Sequence, residues 1–324
     1  SSDVCSSDLL LELLDELDAL EDIDELVDLF ASRFPVLLAE RFAQELKRKE
    51  PYWDVGFINE GGVHFHLESL FINDCVDRGL NLCQGGSRYV LHPIHIVGFA
   101  TLVDSFVALD RMVCGARVSL EEMKDALENN FEGHDSLRAR ILDLPAFGDD
   151  IDEADDMAER LAEIIVSAIE ELAPPEGHHV LPSFYSLLNH RSAGKNCGAT
   201  PNGRLAGEPL SENQSPTYGR TSNGVTALFK SLWRLPFDRA SCGGLNVMLM
   251  GNVPAPALQS LIDTYFSRGG SIIGPTFADR ATLEDARERP ERHKDLLVRI
   301  HGFSEWFVGL PDEEQEEVIA RTNY

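Results

Sequence analysis

The chain has 324 residues, enough for one large domain or two ordinary ones with an ample core either way. Its 55 Asp and Glu against 28 Lys and Arg give a formal charge of −27, which repels phosphate backbones, so nucleic acid is not an expected partner. No run approaches the roughly 18 apolar residues of a membrane-spanning helix, so no membrane partner is expected either.

Residues 1–9 (Ser1-Ser2-Asp3-Val4-Cys5-Ser6-Ser7-Asp8-Leu9) match, end to end, the translation of a short-read sequencing adapter, and are expected to be an artefact foreign to the fold. With Cys5 set aside, Cys75, Cys83, Cys114, Cys197 and Cys242 show no C-x-x-C spacing. They predict neither a disulfide framework nor a zinc site, and a reducing cytoplasm fits them.

Leucines at helical spacing between acids predict an amphipathic helix over 10–30, and a second over 34–49 that Glu50-Pro51 should stop. A third is expected over 64–78, ended by Gly79, and then a short buried strand over 89–91. Helices follow over 97–114 and 119–130, the latter opened by a capping box of Ser119 and Glu122. An acidic helix over 154–172 ends at Pro174-Pro175, and His178-His179 beyond it reads as loop. Residues 189–223, rich in Gly, Asn, Ser and Pro, lack periodicity and read as a long functional loop or a linker. Beyond it, strand candidates 245–250, 271–273 and 296–300 alternate with helix candidates 256–268, 282–289 and 312–321. That alternation predicts an α/β fold with parallel strands, helix-rich overall.

Two blocks carry the chemical signal. The first is Arg299-Ile300-His301-Gly302-Phe303, followed by 315–322. The second is Gly198-Ala199-Thr200-Pro201-Asn202-Gly203-Arg204 with Gly207-Glu208-Pro209-Leu210, then Ser215-Pro216 and Gly219-Arg220. Alone, Gly302-Phe303 after an apolar run also reads as a strand-ending turn. Further back stand Asp74-Cys75-Val76-Asp77-Arg78-Gly79, Gly85-Gly86-Ser87-Arg88-Tyr89 and a run from Gly98 to Asp104-Ser105. Together and in order, these blocks resemble those of the glycyl radical enzymes, the family of pyruvate formate-lyase and the glycerol, choline and hydroxyproline lyases.

The resemblance implies the C-terminal part of a ten-stranded α/β barrel, with a glycyl radical loop inserted into it. Residues 10–190 would belong to the barrel and residues 191–324 to the glycine radical domain. A partial barrel would leave sheet edges open and fold poorly alone. The radical would be stored at Gly302, where two α-hydrogens and no Cβ allow a planar carbon centre. Arg299 would anchor the loop through backbone or carboxylate hydrogen bonds, with a solvated strand-end arginine as the competing reading; Phe303 would pack beside it. His92 and His95 fall where family members contact substrate, although a hydrogen-bonded structural role is the default for such histidines.

No bound cofactor is implied. The radical would be a post-translational modification installed by a radical S-adenosylmethionine activating enzyme that carries the iron–sulfur cluster. The family's thiyl cysteine and its glutamate base would lie upstream of Leu10. Cys75, within Asp74-Cys75-Val76-Asp77, lacks the preceding glycine of that motif and reads as a buried small residue, and Cys197 and Cys242 are weaker candidates still. His64 and Glu68 share a helix face without a third ligand, so no metal site is expected.

The implied activity is anaerobic radical cleavage of a small molecule by a lyase or dehydratase, homodimeric at full length and cytoplasmic, with this chain inactive alone. Pyruvate formate-lyase (formate acetyltransferase) itself and a stand-alone radical carrier are the alternatives. An acidic helical interaction protein would leave the Gly198 and Gly302 blocks unexplained. His301, Trp306 and Gly274-Pro275-Thr276 depart from the family pattern and leave the subfamily open.

Overall fold

A computed structural model describes residues 4–55, 66–82, 85–249, 253–300 and 302–321. Strand β1 (Val4–Cys5) leads into α1 (Ser6–Glu16) and the long α2 (Ile23–Val55). The short helices α3 (His66–Ser69) and α4 (Cys75–Arg78) precede β2 (Val90–Val97). Four helices follow: α5 (Phe99–Leu109), continued by a π-helical turn over Asp110–Cys114, then α6 (Leu120–Glu128), α7 (Asp135–Leu142) and α8 (Asp152–Glu170). Strand β3 (His178–Phe184) is joined to β4 (Cys242–Leu249) through α9 (Asn189–Asn196) and α10 (Val225–Leu232). Helix α11 (Ala255–Ser267), β5 (Ile272–Phe277) and α12 (Arg280–Glu288) precede a hairpin of β6 (Leu297–Ile300) and β7 (Phe303–Trp306), and α13 (Asp312–Ala320) closes the chain.

Strands β1 to β5 form one parallel sheet in chain order. Parallel neighbours need crossovers, and helices supply each of them. An order without reversal is that of a barrel wall; a doubly wound sheet reverses at a switch point. The α/β class is therefore as expected.

Helices α1, α2, α5 to α8, α10 and α11 share a core with one face of the sheet, whereas α12 and α13 lie with the hairpin on the other. Helix α5 is buried along its whole length, Phe99 to Leu109, so it is a core helix without a solvent face. Ile94, Ile96, Phe184, Leu245, Val247 and Leu249 supply the sheet side of this core. Each such large side chain contributes about 1.5–3 kcal/mol by leaving water. A second, smaller core gathers Met248, Leu283, Val298, Ile300, Phe307, Val318 and Ile319 around the hairpin and α13.

Several expectations are corrected. The single helix over 10–30 divides at residues 17–22, where Asp22 accepts a hydrogen bond from the Asp24 amide (3.0 Å) and starts a new helix. Neither Phe34-Pro35 nor Glu50-Pro51 bounds a helix, because α2 runs through both. Proline removes one helical hydrogen bond, but buried Phe30, Phe34 and Leu38 hold α2 against the core across Pro35, with Phe30 and Phe34 stacked at 5.2 Å. The helix expected over 64–78 is two short turns; His64 lies outside the described residues, and Asp74 at φ +74° interrupts. Gly79 does end α4, in the left-handed conformation. The buried strand at 89–91 is instead the exposed start of β2: Tyr89 and Leu91 are 64% and 54% exposed, and burial begins at Ile94. His178-His179 opens β3 and is not a loop.

Candidate active site

Side chains alternate along a strand, so each strand presents one residue set to the helical core and the other to the opposite face. Register places His95 opposite Ser183, Ser183 opposite Cys242, Asn246 opposite Gly274 and Met248 opposite Thr276. One sheet face therefore carries His95, Ser183, Cys242, Asn246 and Thr276, and this polar face receives the β6–β7 hairpin.

Ile300 pairs with Phe303, which puts Gly302 at the hairpin tip. Gly302 has φ +128°, a backbone conformation L side chains rarely adopt. A Cβ there would stand 2.9 Å from the Tyr185 hydroxyl. Tyr185 follows the end of β3, and its ring occupies space left by Gly244, where a Cβ would lie 2.6 Å from Cδ2. Burial pushes the Tyr185 phenol pKa upward, the neighbouring Cys242 and Glu212 add to this, and Arg299 opposes it. The phenol thus stays protonated beside the glycine.

Arg299 is tied down mainly by its backbone. Its amide donates to Thr276 Oγ1 (2.9 Å), and its carbonyl accepts from Arg321 Nη1 (2.6 Å). The side chain crosses over Gly274 and reaches Ser304 Oγ at 3.4 Å, a hydroxyl where backbone or a carboxylate was expected. Phe303 opens β7 with 56% exposure, so its ring turns largely outward instead of packing beside the loop. His301 lies outside the described residues.

The two histidines are not brought together. Three residues apart on one strand, they face opposite sides. His92 stacks on His178 with 2.8 Å between ring nitrogens and meets Phe42 edge-on. One proton bridges such a pair, and burial lowers the His178 pKa. Only His95 lies on the hairpin side, 3.3 Å from Ser183 Oγ.

Beneath the hairpin runs a buried ionic network that sequence reading missed. Glu212, 1% exposed, accepts from the Asn246 and Asn213 side-chain amides and pairs with Arg321 at 3.3 Å. Arg321 also pairs with Glu317 at 3.5 Å, and Glu317 is bonded by Arg191 of α9. Burial raises the Glu317 pKa, but the hydrogen bond from His190, with the charges of His190 and Arg321, brings it below the ordinary glutamate value. This network joins α13 and the hairpin to α9 and the loop before α10.

Cys75 is 2% exposed on α4, as the bland reading expects; Cys242 lies on the polar face with its thiol pushed up by burial. Among the described residues no group of three or more His, Cys, Asp or Glu could hold a metal ion.

A pyruvate formate lyase-like family model matches residues 59–194, and a glycine radical model matches residues 210–308, the span that holds Gly302. The chain belongs to the glycyl radical enzyme family. It is 30% identical over 265 residues to trans-4-hydroxy-L-proline dehydratase of Clostridioides difficile, covering 79% of this chain and 33% of that relative. The fold matches the glycerol-bound B12-independent glycerol dehydratase of Clostridium butyricum with a TM-score of 0.85 at 25% identity, over 98% of this chain and 42% of the other. A glycyl radical enzyme from Archaeoglobus fulgidus matches with a TM-score of 0.84 at 26% identity, over 98% and 43%. The chain spans about a third of the length of the curated relatives it matches. Its sheet is part of a glycyl radical enzyme barrel, with the glycine hairpin set on the polar face. Among the described residues no helix is long and apolar enough to cross a membrane.

Proposed function

We propose that Gly302 stores a carbon-centred radical, in a protein that cleaves a bond of a small molecule as a glycyl radical lyase or dehydratase. The observation that carries this reading is a glycine at φ +128° on a hairpin tip, held on the polar sheet face against Tyr185. Removal of one α-hydrogen atom leaves a planar centre whose electron spreads over the flanking amides. A radical S-adenosylmethionine activating enzyme takes up that hydrogen atom. Arg299 and the Glu212–Arg321–Glu317 network position the hairpin. Relatives named as dehydratases support the reaction class. The division into a barrel part (10–190) and a glycine radical part (191–324), a homodimer, and a cytoplasmic location belong to the same proposal.

Air exposure tests it. After anaerobic activation, dioxygen adds to the radical and cuts the chain at Gly302, releasing the segment from Phe303 onward, which mass spectrometry detects. A chain that stays intact after activation and air, or is still cut in Gly302→Ala, would refute the assignment.

A further inference from the structure

Away from Gly302, a cavity of about 450 Å³ opens between α7, α9, α13 and the loop of residues 202–220. Its size falls within the roughly 300–1,000 Å³ typical of small-molecule sites. Neither Gly302 nor Tyr185, His92 or His95 lines it. We propose that this cavity binds a phosphate-class oxyanion, free or as a monoester, on the guanidinium groups of Arg138 and Arg220, with Arg204, its five donors spent on the protein, as fixed positive charge beside them.

The charge inventory of the wall points there. Its acids are engaged: Glu317 with Arg191, Glu313 with Lys195 (3.2 Å), Glu316 with Arg287 (3.8 Å), and Glu208 accepting from the Leu205 amide (3.0 Å). The three remaining arginines are held by neutral groups. Arg204, 6% exposed, donates to the carbonyls of Cys197, Gly198, Leu205 and Glu208 and to Thr200 Oγ1. Arg220 donates to the carbonyls of Asn202, Ile141 and Leu144. Arg138 spends one bond, Nε to the Gly203 carbonyl at 2.8 Å. Asp104 acts on Arg220 through space, but its oxygens are taken by Thr217 and the Phe147 amide, and burial pushes its pKa upward. Among the described residues these three cations have no carboxylate partner within salt-bridge distance, in a chain of formal charge −27.

A second observation concerns unmade hydrogen bonds. Among the described residues, four that line the cavity each hold a buried polar atom without a hydrogen-bond partner: Asn202 Nδ2, Arg191 Nη2, Arg220 Nε and the Tyr218 hydroxyl. Asn202 is 1% exposed. A buried donor left unmade costs about 1–3 kcal/mol, so such a cluster around one cavity marks a place for acceptor oxygens. An oxyanion offers several at once and suits the guanidinium fork.

The test is calorimetric titration of the chain with inorganic phosphate and with methyl phosphate, using acetate as a comparator. One saturable phosphate per chain is expected, tighter than acetate; tighter binding of methyl phosphate would assign the site to a monoester, and the reverse to free phosphate. Arg138→Gln should weaken binding about tenfold, the loss of one charge-assisted hydrogen bond. Because Arg138 gives the fold a single bond, its melting temperature without phosphate should stay at the parent value, while the phosphate-induced rise shrinks. Arg220→Lys should weaken binding similarly, and Arg234→Gln, on a surface ion pair elsewhere, should not. Absence of saturable binding, or equal affinity in the parent, Arg138→Gln and Arg220→Lys, would overturn the proposal.

Discussion

Replacing Arg321 by leucine should release the C-terminal module without unfolding the body. Arg321 is 7% exposed, lies 3.3 Å from Glu212 and 3.5 Å from Glu317, and donates to the Arg299 carbonyl at 2.6 Å. Breaking a buried ion pair by removing one partner costs about 3–5 kcal/mol, because the other charge stays buried. Here Glu212 keeps the Asn246 and Asn213 amides, and Glu317 keeps Arg191, so the lower end applies. About 3 kcal/mol corresponds to roughly two decades in an opening equilibrium. Amide hydrogen exchange followed by mass spectrometry should show β6, β7 and α13 exchanging about a hundredfold faster, with α8 unchanged. The separate small core of this module is the reason for expecting local release. Unaltered exchange in the hairpin, or equal loss across α8, would refute the view that these ions hold the module.

Gly302→Ala should cost the hairpin about 1–3 kcal/mol in backbone strain, with a further contact against Tyr185 Oη. Adding Tyr185→Phe should recover the contact and leave the strain; full recovery of hairpin protection in hydrogen exchange would show that φ is not the constraint. Asp155 is buried against Ser231 with its pKa raised to about 6 from 3.8, burial being the main cause. A carboxyl raised on folding costs stability when charged, so the cost is full above pH 6 and disappears as pH falls through 6 towards 3.8. Asp155→Asn should therefore stabilise the chain at pH 7 by up to about 3 kcal/mol, and by nothing near pH 4. Equal destabilisation in urea melts at both pH values would contradict this.

What the sequence could show followed from local rules. Ser119 accepts the Glu122 amide as its spacing predicts, Gly79 ends α4, and the apolar run before Gly302 is a strand with the glycine at a hairpin tip. Helix α13 follows Pro311, at Asp312. What it could not show depends on pairing between distant segments. Helix α9 has no apolar stripe; Gly194 lets it lie against the Glu208–Leu210 backbone, and Arg191 and Lys195 tie it to α13. Strand β7 has a largely exposed pattern and exists through its pairing with β6. Ser211, Glu212, Asn213 and Gln214 fall in the stretch read as a functional loop or a linker, yet all four are buried, because Asn246, Ser186, Thr101 and Tyr265 reach them from other elements. Tyr185 lies two residues after Ser183, just past the end of β3, but that it meets Gly302 is fixed by the sheet and the hairpin set on it. The break expected before residue 34 is missing for a related reason, since buried Phe30 and Phe34 carry α2 through Pro35.

Electron paramagnetic resonance tests the central claim most directly. The protein carrying this chain would be treated anaerobically with a matching activating enzyme and S-adenosylmethionine. The account predicts a carbon-centred radical whose doublet arises from the one remaining α-hydrogen of Gly302. It should collapse on deuteration of glycine at Cα and be absent in Gly302→Ala. A full-strength radical that survives Gly302→Ala, or a doublet untouched by glycine deuteration, would place the radical elsewhere and contradict the account.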